Sequence, residues 1–193
     1  VIETKSMLQI TVPMLNQINV GYSSGKTHPT EKGELSGYEK IRFRAFSFSS
    51  SNDTRNKRFL PTQGIKITSS IDAGIQSENG FLKSEANFQY LHPFTKNIHG
   101  LVRWMGHGIH GFDSDIPKSR YVLFGGNSTL RGFREQSFAA TQFQIATFEA
   151  AFHPGQGFQT NLFLDVGSKR LVIIENKKIG YGFGLTQLNE KSL

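Results

Sequence analysis

The sequence contains no cysteine and no long run of apolar residues. Without cysteine, the chain can form neither a disulfide framework nor a thiolate metal site. None of its apolar runs approaches the ~20 residues that a membrane-spanning helix requires. These absences exclude a disulfide-stabilised scaffold and a helical membrane protein. They do not exclude a membrane β-barrel, because a barrel strand needs an apolar residue only at every second position.

The composition is basic and rich in phenylalanine and glycine. The 193 residues include 17 Phe and 20 Gly but only 1 Trp, and the formal net charge is +7. A basic chain favours acidic partners, such as nucleic acid, anionic lipid headgroups or acidic polypeptides. Composition alone leaves these three classes open.

Helix signals are nearly absent, and the alternation of apolar and polar residues dominates instead. In the clearest segment, residues 65–75, isoleucines recur on one face, whereas Lys66, Thr68 and Asp72 lie on the other. Several such segments run about ten residues, close to the ~9–11 of a tilted membrane strand and longer than the ~5–6 of a typical strand. The pattern predicts about nine strands, at residues 7–14, 17–22, 40–45, 65–75, 82–91, 98–105, 142–152, 158–167 and 179–187.

The segment at residues 40–45 departs from this simple pattern. After Ala45 the apolar positions change phase to Phe46 and Phe48, which predicts a bulge or a sheet edge. Before it, a basic stripe alternates with apolar residues, which is compatible with a lumen wall or a barrel rim. Nucleic-acid binding is the weaker interpretation, because no stacking aromatics share that face. The stripe consists of Lys40, Arg42 and Arg44.

The links between the predicted strands tend to alternate between short and long, with residues 76–80 as an exception. The longest are residues 23–38 and 111–138, and membrane barrels have short periplasmic turns and long outer loops. We therefore expect an all-β antiparallel transmembrane barrel with its long loops on the outer side. About nine strands are predicted, whereas complete bacterial barrels have an even strand number, so the barrel would be partial. Residues 1–193 would form one partial barrel domain, with strands missing at both ends.

The link at residues 111–138 contains a recognisable motif. Gly125 and Gly126 precede Leu130, Arg131, Gly132 and Phe133. This order resembles the inner-loop signature of the outer-membrane assembly-barrel superfamily, the bacterial surface antigens, which includes BamA, TamA and the two-partner secretion transporters. Further motifs occur before and after this loop in the family's order, and the resemblance is strongest over residues 60–187. They are Pro61 with Gly64, Glu149 before a Phe-His-Pro turn, Phe163 with Asp165 and Gly167, and Gly180, Gly182 and Gly184 with Leu185.

The resemblance implies a barrel of about sixteen strands with a long inward-folded loop, which is fixed to the barrel wall by charge. Arg131 would pair with Asp165 and Glu149, because an arginine fork binds carboxylates with defined geometry. The glycines of the last strand would leave room for the loop against the wall. The position of Glu149 stays open, since Phe143 and Ile145 share its face unless a bulge intervenes.

The resemblance also implies a function without chemical catalysis, cofactor or metal. The barrel would belong to a factor that inserts or translocates client outer-membrane or secreted polypeptides in a bacterial outer membrane. Its partners would be outer-membrane lipid, these clients and periplasmic or lipoprotein subunits, and not nucleic acid. The alternatives are the barrel of a patatin-like phospholipase fusion, a two-partner secretion transporter, or a soluble β-sandwich or oligonucleotide-binding barrel. The pattern Gly-x-Ser-x-Gly occurs once, at residues 21–25, but no helix is predicted after it, as a catalytic nucleophile turn would require.

Overall fold

The structure is a computed structural model that describes residues 2–13, 17–28, 39–112, 115–155, 157–171 and 176–187. These residues form one antiparallel sheet of nine strands and a separate two-stranded hairpin, so the predicted all-β antiparallel fold is confirmed. The strands are β1 (Ile2–Pro13), β2 (Gln17–His28), β3 (Ile41–Asp53), β4 (Gly64–Gln76), β5 (Asn79–Pro93), β6 (Ile98–Gly111), β7 (Val122–Phe124), β8 (Phe138–Ala140), β9 (Gln142–Gly155), β10 (Phe158–Ser168) and β11 (Lys178–Gln187).

Neighbouring strands pair in chain order, except that β6 pairs directly with β9 across the long link. The hairpin of β7 and β8 belongs to that link, and the sequence pattern did not predict it because each strand has only three residues. The first residues of the predicted long link at residues 23–38 belong to β2, which extends to His28. Residues 29–38 of this link lie outside the described residues. In the described parts of the chain, no helix is long and apolar enough to cross a membrane.

The sheet has an inner face, against which the loop between β6 and β9 packs, and an outer face. Large apolar side chains line the outer face, including Ile71 at 48% exposure, Phe183 at 76% and Tyr181 at 81%. On β4 this row runs from Ile65 to Ile75, which is about 33 Å at ~3.3 Å per residue. A strand tilt of ~40° reduces this to the apolar band of ~25 Å that membrane barrels present to lipid.

Strand β3 corrects the prediction of a bulge after Ala45. Its pairing with β2 and β4 runs without a register shift, so the strand continues straight through Phe46 and Phe48. The apolar residues change face for a different reason. Near the start of β3, Phe43 and Ala45 are covered by the loop on the inner face, whereas further along the apolar residues face outward.

The basic stripe on β3 lies outside the sheet and not on a lumen wall. Arg42 and Arg44 are exposed and alternate with buried Ile41 and Phe43, which face inward. They sit at the end of the strand where the long loop between β6 and β9 also leaves the sheet. The prediction that the basic stripe lies on a lumen wall is therefore wrong, and the position at the barrel rim remains.

Candidate functional site

The inward loop begins its tight turn at two glycines. Gly125 and Gly126 have φ of +111° and +95°, a region that residues with a Cβ rarely adopt. The Gly125 N–H donates to the Thr129 hydroxyl at 2.8 Å, and the Gly126 N–H donates to the Leu130 carbonyl at 3.0 Å. A Cβ on Gly126 would collide with the carboxylate of Glu135. The turn thus directs the segment that follows it toward the sheet.

Arg131 lies between two carboxylates of the inner face. Its Nε and Nη2 donate to the two oxygens of Asp165 at 2.8 and 2.9 Å, and its Nη1 donates to Glu149 at 2.9 Å. The backbone N–H of Arg131 also donates to Asp165, at 3.0 Å. The bidentate geometry is the arrangement in which guanidinium and carboxylate bind most specifically.

This ion cluster is almost completely removed from solvent. The side chains of Arg131, Glu149 and Asp165 are 14%, 12% and 0% exposed. The guanidinium carbon also lies 3.6 Å from the centroid of the Phe163 ring, which adds a cation–π contact. Burial alone would lower the pKa of Arg131, but its hydrogen bonds to Asp165 and Glu149 outweigh burial and raise that pKa. The arginine is therefore fully charged where the loop meets the wall.

The face of Glu149 is settled by the register. Strand β9 pairs with β6 and β10 without a bulge near this residue, so Glu149 shares the inner face with Phe143 and Ile145. Those two apolar residues are buried because the loop covers them. The cluster consists of Phe124, Leu130, Ala140, Phe143 and Ile145, with Met105, Val122, Phe133 and Phe138 packed against it.

Within this cluster Leu130 is 0% exposed, and Phe133 contacts Phe138 with ring centroids 5.2 Å apart. The loop thus has two attachments to the wall, one apolar and one ionic. They are adjacent in the chain, because Leu130 and Arg131 follow one another.

The glycines of β11 do not all serve the loop. At Gly180 the loop backbone lies so close that a Cβ would overlap the carbonyl oxygen of Arg131, and Gly132 lies opposite. At Gly182 a Cβ would meet the Phe163 ring at 3.0 Å, and at Gly184 it would meet the side chain of Asn161. Only Gly180 admits the loop directly, whereas Gly182 makes room for the ring beneath Arg131.

Several residues that complete this arrangement are not part of any motif in the sequence. Arg103 of β6 donates to the Thr147 hydroxyl at 3.2 Å, next to the ion cluster. Earlier in the same loop, the Arg120 guanidinium lies 4.9 Å from the Phe43 ring centroid and 4.8 Å from that of Phe81. The alternation along β6 could have placed Arg103 on the inner face. No pattern in the sequence relates Arg120 to the rings on two distant strands.

The site can hold a loop in place, and nothing in its geometry suggests bond chemistry. Its carboxylates are engaged by Arg131, and within the described residues no group of three His, Asp or Glu side chains converges as a metal site would require.

The chain is similar to known proteins in both sequence and fold. The family model described as the Omp85 superfamily domain matches residues 13–186. The crystal structure of BamA from Haemophilus ducreyi lacking POTRA domains 1-3 has a TM-score of 0.76 at 15% identity, covering 97% of this chain and 48% of that chain. CdiB from Acinetobacter baumannii has a TM-score of 0.65 at 12% identity, covering 97% of this chain and 36% of that chain. No match is found among curated proteins.

The chain thus spans about half of the BamA structure and about a third of CdiB. Both likenesses confirm the antiparallel outer-membrane barrel fold, with the barrel unclosed over this length. The family resemblance of the loop and strand motifs is likewise confirmed, and the match extends to earlier strands than those motifs cover. The chain belongs to the Omp85 superfamily of outer-membrane β-barrel proteins.

Proposed function

We propose that this chain is part of the barrel of an outer-membrane protein insertion factor, which works without chemical catalysis. Membership of the Omp85 superfamily supports a role in outer-membrane assembly or transport. The fold likeness to BamA and CdiB fits either an insertion factor or a secretion transporter, and the insertion factor is our first hypothesis. The clients would be outer-membrane polypeptides, and periplasmic or lipoprotein subunits would deliver them.

The observation that carries the proposal is the ion cluster of Arg131 with Asp165 and Glu149. A buried arginine fork between two carboxylates supports a barrel whose lumen holds a docked loop. We infer that this cluster holds the loop against the wall, keeps the lumen filled and stabilises the barrel while client strands fold beside it. Leu130, Gly132 and Phe133 would position the Arg131 side chain, and Gly180 would leave space for the backbone of the loop.

The insertion step itself would follow from backbone chemistry. A strand entering lipid must satisfy its N–H and C=O groups, which lipid cannot do. Pairing with an exposed barrel strand supplies those hydrogen bonds by β-augmentation. This step is proposed for the whole protein, since the chain spans only part of its structural relatives.

Depletion of the full-length protein in its native host tests the proposal. We expect newly synthesised outer-membrane β-barrel proteins of several kinds to lose their heat-resistant folded form. Wild-type protein should restore folding, and so should the Arg134→Ala variant, which alters an exposed arginine of the same loop. The Arg131→Ala variant should restore less.

Other outcomes point to the alternatives. If barrel assembly stays normal and the export of a single secreted polypeptide stops, the protein is a two-partner secretion transporter. If depletion removes only a lipid-hydrolysing activity, the barrel belongs to a patatin-like phospholipase fusion. Either result overturns the insertion proposal.

A further inference from the structure

The outer face of the sheet carries charge at one place. On strands β2–β6 and β9–β11, as far as their side chains are described, the outward positions hold three Lys, Arg, Asp or Glu residues, and all three are cations. They are Lys26, Arg42 and Arg44, and each is exposed. Everywhere else on this face the outward residues are uncharged or histidine. The three cations therefore form a discrete feature of a surface otherwise suited to lipid.

The register brings these cations together. Lys26 pairs with Arg42 across β2 and β3, and Arg44 pairs with Ser24 one outward position farther along. Because facing side chains on adjacent strands lie about 5 Å apart, the three charges share one patch. Lys40 and His28 lie beside them along a groove, and we call these five residues the basic rim cluster.

The basic rim cluster begins where the apolar band ends. Arg44 pairs with Ile75, the last isoleucine of the outward row on β4, and the Arg42 carbonyl accepts a hydrogen bond from Ser77 in the turn after β4. Below the cluster, Tyr22 and Phe46 pack with ring centroids 5.2 Å apart. A cation on the lipid face is strongly unfavourable at the bilayer midplane but tolerated at the interface. The cluster thus lies at headgroup level.

No acidic side chain of the described residues forms an ion pair with Lys26, Lys40, Arg42 or Arg44. The groove beside them has a volume of about 1160 Å³, and among the described residues that line it Glu78 supplies the one carboxylate. Its wall also includes Ile75, so it presents apolar and cationic surface side by side. A lipid with acyl chains and a phosphate offers both matching parts, whereas a free anion offers only the charge.

We propose that the basic rim cluster binds the phosphate of a membrane lipid headgroup, in the leaflet at which the long loops leave the sheet. Loop lengths predict that this is the outer leaflet. Arg42 and Arg44 would contact the phosphate, Lys26 would add charge, and the acyl chains would lie against Tyr22 and Phe46. The proposal does not depend on the insertion function or on the Arg131 cluster.

Native mass spectrometry of the detergent-purified full-length protein tests it, with lipid A and dephosphorylated lipid A as probes. We expect the phosphorylated form to bind and the dephosphorylated form to bind much less. The triple variant Lys26→Gln, Arg42→Gln, Arg44→Gln should weaken binding roughly 100-fold, because each basic residue near an anionic surface contributes about a factor of five. Arg42→Lys with Arg44→Lys should retain most binding.

A matched control neutralises inner-face cations instead, by Lys66→Gln and Lys83→Gln, and should leave lipid binding unchanged. Heat-modifiability on gels verifies that each variant is folded. The proposal is wrong if the triple variant binds phosphorylated lipid A as well as wild type does, or if the inner-face control loses binding equally. It is also wrong if inorganic phosphate at millimolar concentration displaces the lipid, since the cluster would then be a site for a free anion.

Discussion

Replacing Arg131 by alanine is expected to release the inward loop from the sheet. The substitution removes three side-chain hydrogen bonds to Asp165 and Glu149 and the contact with Phe163. It leaves the Asp165 carboxylate, which is 0% exposed, without its guanidinium partner. Removing one partner of a buried ion pair costs about 3–5 kcal/mol. The population of released loop should therefore rise between about 100-fold and several thousand-fold, at ~1.4 kcal/mol per factor of ten.

A single cysteine measures this release. The chain contains no cysteine, and Ala140 at the end of the loop hairpin is 8% exposed. In the full-length protein, with any cysteine outside residues 1–193 replaced, Ala140→Cys should react slowly with a thiol reagent while the loop is docked. Adding Arg131→Ala should accelerate labelling by the factor given above, and Arg131→Lys should give an intermediate rate because lysine keeps the charge but loses the fork.

The control for this experiment is Arg134→Ala, which removes an exposed arginine three residues farther along the same loop. Its labelling rate should equal that of the parent. If Arg131→Ala labels no faster than Arg134→Ala, the apolar cluster alone holds the loop, and the reasoning from the buried ion pair is refuted.

Two further substitutions address the wall and the apolar attachment. Gly180→Ala should also accelerate labelling at Ala140→Cys, because its Cβ would overlap the Arg131 carbonyl oxygen. Gly184→Ala should have little effect, because its Cβ meets only the movable Asn161 side chain. Equal labelling rates for the two variants would argue against a close approach of the loop at Gly180. Leu130→Ala should weaken docking by about 2–5 kcal/mol, as for other buried leucines, and hydrogen exchange at β7 and β8 should report it. Unchanged protection there would mean that Leu130 contributes nothing to docking.

The alternation of apolar and polar residues fixes strand direction and face wherever one side of a strand meets lipid and the other meets water. On β4 both conditions hold along the whole strand, and the predicted segment 65–75 differs from the observed one by a residue at each end. On β3 the inner face is partly covered by protein. There the alternation led to the wrong prediction of a bulge, because Phe43 faces inward under the loop.

The candidate site could likewise be predicted from the sequence only in part. The sequence placed Arg131, Asp165 and Glu149 in a shared motif order, and alternation put both carboxylates on strands. It could not show that Phe143 and Ile145 beside Glu149 face inward under an apolar cluster. That arrangement depends on Phe124 and Leu130, which reach the wall only when the loop folds back.

The all-β class, most strand positions and the family could be predicted from local patterns, because period-two alternation and short motifs are properties of single segments. Which residues contact one another depends on the folded chain: Phe163 lies under Arg131, Arg120 lies between two rings, and Arg42 lies beside Lys26 on the outward face. These contacts join residues far apart in the chain. Register and loop path set them, and neither is encoded in any single segment.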